Sequence, residues 1–93
     1  MHTKVAATNG TARIAIPYKS EGVLLVNVSL YTIPSTTEQS LYIVGISKND
    51  PKTRFDKIFG SIDYIKEISQ SDGMLTFEFF KKSILCRIVF FGE

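Results

Sequence analysis

Few residues in this chain of 93 have side chains suited to catalysis. The single histidine, His2, lies beside the initiator methionine in a polar segment, so a nucleophilic triad has no well-placed general base. The single cysteine, Cys86, excludes an internal disulfide and a cysteine-rich zinc site. Cys86 alternates with Ile84, Ile88 and Phe90, which predicts a buried and unreactive thiol.

The carboxylates offer little more than the histidine and the cysteine. Asp50, Asp56 and Asp63 could act as acids or bases, but each lies in a polar or mixed segment without a paired carboxylate nearby. Asn49 and Asp50 together with Asp56 only hint at calcium, which needs several oxygen ligands at close spacing. The glycines are scattered singly and form no phosphate-binding loop. The sequence therefore predicts no enzyme, no cofactor and no metal site.

Charge and hydropathy argue against two classes of partner. Eleven basic and nine acidic residues leave a net charge of +2, whereas nucleic acids and anionic membranes are bound by clustered basic faces. The aromatic segment 75–80 could stack bases, but Glu78 interrupts it and core packing explains it better. No apolar run approaches the roughly 18 residues of a membrane span. We expect neither nucleic-acid binding nor membrane insertion.

Alternation of apolar and polar residues dominates the chain and predicts strands. Asp72 and Gly73 carry the signature of a two-residue hairpin turn. A polar loop with Pro34 covers residues 32–40, and another covers residues 48–54. The clearest predicted strands are Arg13–Ile16, Val23–Tyr31, Leu41–Ser47, Met74–Phe80 and Ile84–Phe91.

Residues 55–69 allow two interpretations. Phe55, Ile58, Phe59 and Ile62 follow a helical spacing, which would place a helix over residues 55–66. Gly60 interrupts that stripe, and the alternative is a strand over 57–61, a bend, and a second strand over 63–69. We favour strands, since the flanking segments are strand-like.

Seven or eight short strands without a crossover helix indicate an all-β antiparallel sandwich or barrel. We assign residues 12–93 to this single domain. Residues 1–11 are small and polar, and we interpret them as a flexible lead-in or the remnant of a linker from a longer chain.

Surplus hydrophobicity is the feature that points to assembly. A sandwich strand has one solvated face, yet several apolar residues lie on the face opposite the predicted core. Such a face must be covered by a loop, a second sheet or another subunit, and we expect an oligomer. The candidate interface residues are Val23, Leu25, Leu85, Val89 and Phe91.

The order of these strands resembles the C-terminal head domains of bacteriophage tail and head fibres. The likeness covers about residues 12–92 and rests on segments 22–28 and 41–47, the Asp72-Gly73 hairpin, and the final strand with Arg87 and Ile88. It implies a jelly-roll-like β-sandwich that trimerises, lies on the virion surface and binds a receptor on the host. No signature motif carries the likeness, so it transfers no site residue.

The first hypothesis is therefore a non-enzymatic fibre head, a homotrimer that binds a host-surface glycan or protein. Binding residues concentrate on loops, so the candidate receptor contacts are Tyr31, Glu38, Asn49, Asp50 and Arg54. One alternative is a monomeric adhesin-like or carbohydrate-binding module, bacterial and either surface-bound or secreted. Another is a small barrel that binds single-stranded nucleic acid.

Overall fold

The computed structural model describes residues 2–15, 21–30, 38–47, 53–71 and 73–92. These ranges form eight strands, and none of them holds a helix long and apolar enough to cross a membrane. The strands are β1 His2–Ala7, β2 Thr11–Ala15, β3 Gly22–Leu30, β4 Ser40–Ile46, β5 Arg54–Phe59, β6 Ile65–Ser71, β7 Met74–Phe79 and β8 Ile84–Gly92.

The strands form two antiparallel sheets that pack as a sandwich. One sheet has five strands in the order β1-β8-β3-β4-β5, and the other has three in the order β2-β7-β6. The first strand pairs with the last and the second with the seventh, which is the winding of a jelly roll. Strands β4 and β5 extend the first sheet. The predicted all-β, antiparallel, jelly-roll-like sandwich is confirmed.

The core lies between the sheets and is built from alternate residues of their facing strands. Leu24, Val26 and Val28 of β3 are fully buried, and Leu75 and Phe77 of β7 oppose them from the other sheet. Each such side chain contributes about 1.5–3 kcal/mol by leaving water. Four residues of β8, the set predicted to face inward, complete this layer: Ile84, Cys86, Ile88 and Phe90.

The ambiguous stretch forms strands. β5 ends at Phe59 and β6 begins at Ile65, so the five residues between them carry the chain from one sheet to the other. Gly60 has a φ of +100°, and a Cβ there would approach Ser40 Oγ to 2.6 Å. A residue with a side chain would be strained at this position. The strand interpretation is confirmed, but β5 begins at Arg54 rather than at Lys57.

The N-terminus differs from its prediction as a flexible lead-in. Residues 2–7 form β1, an edge strand whose Val5 pairs with Cys86 and whose Ala7 pairs with Ile84. Ala7 is buried and Val5 packs against the core. Small residues give a weak local signal for a strand. Pairing with β8 supplies the missing stabilisation, because the unpaired backbone N–H and C=O groups at a sheet edge can form hydrogen bonds with an added strand.

The predicted hairpin at Asp72-Gly73 joins β6 to β7. Ser71 pairs with Met74, and Gly73 adopts a φ of +77° that its lack of a Cβ allows. Asp72 itself lies outside the described residues. The aromatic strand that could have stacked bases is largely core, since Phe77 and Phe79 are buried and only Phe80 is strongly exposed.

Candidate functional site

The outer face of the five-stranded sheet carries a contiguous apolar surface across three central strands. Val23 of β3 lies opposite Phe91 of β8, and Leu25 lies between Val89 of β8 and Ile43 of β4. Val23, Ile43 and Phe91 are 36%, 38% and 57% exposed, while Leu25 and Val89 are half-buried. These five residues, here called the apolar face, could bury their side chains only against something outside the described residues.

Charged and polar residues surround the apolar face. Arg87 lies on the same face of β8, opposite Asn27 of β3 and Lys4 of β1. On the other side, Asp56 of β5 is opposite Ile43, and the exposed Arg54 is opposite Gly45. An apolar centre with a polar rim is the usual anatomy of a protein–protein interface.

Four of the five predicted interface residues belong to this surface. Leu85 lies on the same side of β8 but is only 9% exposed, opposite the buried Ser29. Leu85 is therefore already buried within the single chain, whereas Val89 and Phe91 are more exposed. Ile43 was missed in the sequence, although its alternation with Tyr42 and Val44 was visible; only the pairing of β4 with β3 places it beside Leu25.

The predicted receptor-contact residues do not form a cluster in the described structure. Tyr31, Asn49 and Asp50 lie outside the described residues. Glu38 precedes β4 and is half-buried, and Arg54 pairs near the other end of β4. Arg54 was assigned to a loop, but it is the first residue of β5, because β4 extends the ladder by pairing Gly45 with it.

A cluster of buried polar groups fixes the segment that crosses from one sheet to the other, between β5 and β6. The Tyr42 hydroxyl accepts hydrogen bonds from the backbone N–H of Tyr64 at 2.8 Å and of Ile65 at 3.3 Å. Ser40 Oγ donates to the Ile62 carbonyl at 2.6 Å, and the Tyr64 hydroxyl donates to the Glu38 carbonyl. Burial raises the pKa of Tyr64, with smaller contributions from the Glu38 charge and from Tyr42. The cluster is structural: every bond named fixes residues 62–65 against β4 and the residues preceding it.

The described residues that the sequence offered as candidates for catalysis do not lie together in one site. Cys86 is 1% exposed, and burial raises its pKa to about 12, so the predicted buried thiol is confirmed. Asp63 bonds to Lys57 at 2.7 Å in an exposed pair of small energetic value. Asp56 is exposed on β5. Within the described ranges, no three His, Cys, Asp or Glu side chains are grouped so that they could hold a metal ion.

The outer face of the three-stranded sheet has the opposite character. Glu78 of β7 lies between Thr11 of β2 and Glu67 of β6, and the next row places Thr76 beside Arg13. These residues, together with Ser69, form the surface here called the polar face. At its β2 edge lies a surface hollow, largely open to solvent and here called the cavity, which is bordered, among the described residues, by Asn9, Thr11 and Arg13.

Comparison with solved structures finds this fold in phage tailspikes. The tailspike protein of Acinetobacter phage vB_ApiP_P1 matches 98% of this chain with a TM-score of 0.61 and 11% identity. The tailspike gp49 of the Acinetobacter baumannii bacteriophage Fri1, described as a capsular polysaccharide depolymerase, matches 94% with a TM-score of 0.50 and 10% identity. No family model and no curated protein sequence matches the chain.

This chain is much shorter than either tailspike. This chain spans 21% of the first tailspike and 16% of the second, so it corresponds to a small part of each. At such low identity the likeness is one of fold. It agrees with the resemblance to phage tail proteins noted in the sequence.

Proposed function

We propose that this chain is a non-enzymatic module of a phage tail fibre or tailspike, one that forms a homotrimer on the virion surface and binds a receptor on the host. The observation that carries the proposal is the apolar face, exposed on a domain whose fold recurs in tailspikes. Exposed apolar surfaces rimmed by polar residues mark protein contacts.

The size of the outer face suits an interface between subunits. Strands lie about 4.8 Å apart and rise about 3.4 Å per residue, so five strands of six to nine residues present a face of about 600 Å². This area lies at the lower end of the roughly 600–1,000 Å² that each partner buries in a stable interface. A small domain gains most from such burial, because its own core is limited.

The open edge of β5 is less suited to assembly than the face. Ile58 has no partner in β4, since the register shifts there, and such a bulge bends an edge strand away from pairing. Lys57 lies on the inward side of the same strand and is held by Asp63. Both features discourage strand addition. The subunit contact is therefore assigned to the face rather than to this edge.

The non-enzymatic assignment rests on the placement of the polar side chains. Among the described residues, Asp63 is paired with Lys57, Asp56 on the outer side of β5 has no ion-pair partner, and Cys86 is buried in the core. Binding through three copies of a weak site explains how such a module attaches firmly, because linked sites raise avidity. The monomeric adhesin-like module is the alternative, and it needs the apolar face to be covered by its own chain.

Two measurements distinguish the trimeric fibre module from the monomeric adhesin-like module: the mass in solution, and the melting temperature across a hundredfold dilution. Association links folding to mass action, so a trimer has three times the mass of the chain and a melting temperature that rises with concentration. A monomeric mass with a concentration-independent transition would overturn the trimer and favour the adhesin-like module. Binding of the purified protein to host cells, set against non-host cells, tests the receptor role separately.

A further inference from the structure

The cavity beside β2 is built on a turn that the rest of the fold holds in place. Asn9 Oδ1 accepts a hydrogen bond from the Thr11 backbone N–H at 3.3 Å. The Gly10 N–H donates to the Lys82 carbonyl at 3.0 Å, and the Phe79 N–H donates to the Gly10 carbonyl at 2.9 Å. Gly10 adopts a φ of +84°, which its missing Cβ permits. The backbone of residues 9–11 and the Asn9 side chain are therefore held in place by the fold itself.

The charge around this turn favours an anion. Arg13 borders the cavity and is exposed, and the only ion pair among the described residues joins Lys57 to Asp63 elsewhere. Lys81 and Lys82 are exposed on the turn that docks against Gly10. A guanidinium without a carboxylate partner presents a planar set of donors that matches a carboxylate with two parallel hydrogen bonds.

The remaining groups suit a ligand that also carries hydroxyls. Asn9 contributes an amide and Thr11 a hydroxyl, both able to donate and accept. Glu78 lies across the ladder from Thr11, with Glu67 on its far side. These carboxylates can accept hydrogen bonds from hydroxyl groups, and they repel an anion, a doubly charged one more than a singly charged one.

We infer that this cavity binds a sugar unit bearing one carboxylate, a uronic acid residue, with Arg13 holding the carboxylate and Asn9 and Thr11 the ring hydroxyls. The inference deepens the proposed function, on which it rests for the source of the ligand, an acidic glycan of the host surface. β2 buries Ala12 and Ile14 against the five-stranded sheet, so Arg13 points away from the apolar face. A trimer packed through that face leaves the cavity open.

Nuclear magnetic resonance titration of the protein with sodium glucuronate tests the inference. At constant ionic strength we expect amide shifts centred on residues 9–13 that saturate at millimolar concentration or below. Glucose, which lacks the carboxylate, and acetate, which lacks the hydroxyls, should each bind at least about tenfold more weakly. Equal shifts with acetate would show a general anion site, equal shifts with glucose would show no role for the charge, and either result overturns the inference.

Two variants, each of which removes one positive charge, distinguish binding at this site from a general effect of net charge. Arg13→Gln should raise the dissociation constant for glucuronate about tenfold or more, because the charge-assisted hydrogen bonds are lost. Lys66→Gln removes one positive charge from β6, at the edge of the three-stranded sheet opposite β2, and should leave the affinity unchanged. An equal loss in both variants would overturn the inference. Glucuronate binding by a protein that proves monomeric would retain the site and reject only the trimer.

Discussion

The two outer faces of this sandwich obey the same alternation and carry opposite chemistry. On the five-stranded sheet, the outward positions of β3, β4 and β8 hold Val23, Ile43 and Phe91. On the three-stranded sheet, the equivalent outward positions hold Arg13 and Thr76. A solvated sheet face is normally polar, as the second one is. The contrast shows that one face is adapted to water, whereas the other exposes apolar side chains that the proposed subunit contact would bury.

A charge placed on each face gives the sharpest test of this contrast and the largest expected effect. Val89→Lys puts an unpaired ammonium group in the centre of the apolar face. If that face is a subunit contact, desolvating the charge costs several kcal/mol, and the variant should lose the oligomeric mass and its concentration-dependent melting. Light scattering after size exclusion and melting at two concentrations measure both.

Thr76→Lys is the matched control for that substitution, because Thr76 occupies an outward strand position on the polar face. Its mass and melting temperature should remain those of the wild type. A Val89→Lys protein that keeps the oligomeric mass, or a Thr76→Lys protein that loses it, would contradict the assignment of the two faces.

Removing a hydrogen-bond acceptor from the segment that crosses between the sheets should have an intermediate effect, on the free energy of unfolding. Tyr42→Phe keeps the aromatic packing against Phe55, whose ring centroid lies 6.1 Å away, but leaves the N–H groups of Tyr64 and Ile65 without their acceptor. Buried donors without partners cost about 1–3 kcal/mol. Urea unfolding should show this loss of stability while the oligomeric mass is unchanged. An unaltered free energy of unfolding would mean that other groups satisfy these donors.

The smallest effect concerns Cys86, which lies under the apolar face with its side chain in the core. Because burial raises its pKa to about 12 from 9.0, the folded state disfavours the thiolate. Its contribution to stability is full below pH 9 and is lost as the pH rises from about 9 to 12. The wild type should therefore lose more stability than Cys86→Ala between pH 8 and 10. Parallel declines in the two proteins would contradict this.

Thiol labelling provides a second readout of the same residue. At pH 8 the native protein should react far more slowly with a thiol reagent than the urea-unfolded chain, because the reagent meets neither an exposed sulfur nor a thiolate. Rapid labelling of the native protein would mean that β8 turns its other side to the core.

Local pattern was enough to predict much of the fold. Alternation along β3 and β8 identified the inward residues correctly, since a strand turns successive side chains to opposite sides. The Asp-Gly pair located the β6–β7 hairpin, because few residues tolerate that turn geometry. Residues 55–69 were ambiguous because their spacing fits two periods, and Gly60 together with contacts from Ser40 resolves them.

The sequence pattern alone could not predict features that depend on contacts between segments far apart in the chain. β1 was missed because its small residues become a strand only through the ladder with β8, whose paired residues lie 77 to 87 positions away in the chain. The cavity at Asn9 and Arg13 was missed for a related reason, as the turn before β2 is held by the carbonyl of Lys82.

By itself, the sequence determined that this protein is all-β, where the clearest strands lie and which side of β8 is buried, because these follow from the periodicity of neighbouring residues. Only the tertiary structure decided that Ile43 joins Leu25 and Val89 on one apolar face, and that Leu85, on the same strand side, is already covered. Strand order and register set such neighbourhoods, and both arise from pairings between segments far apart in the chain.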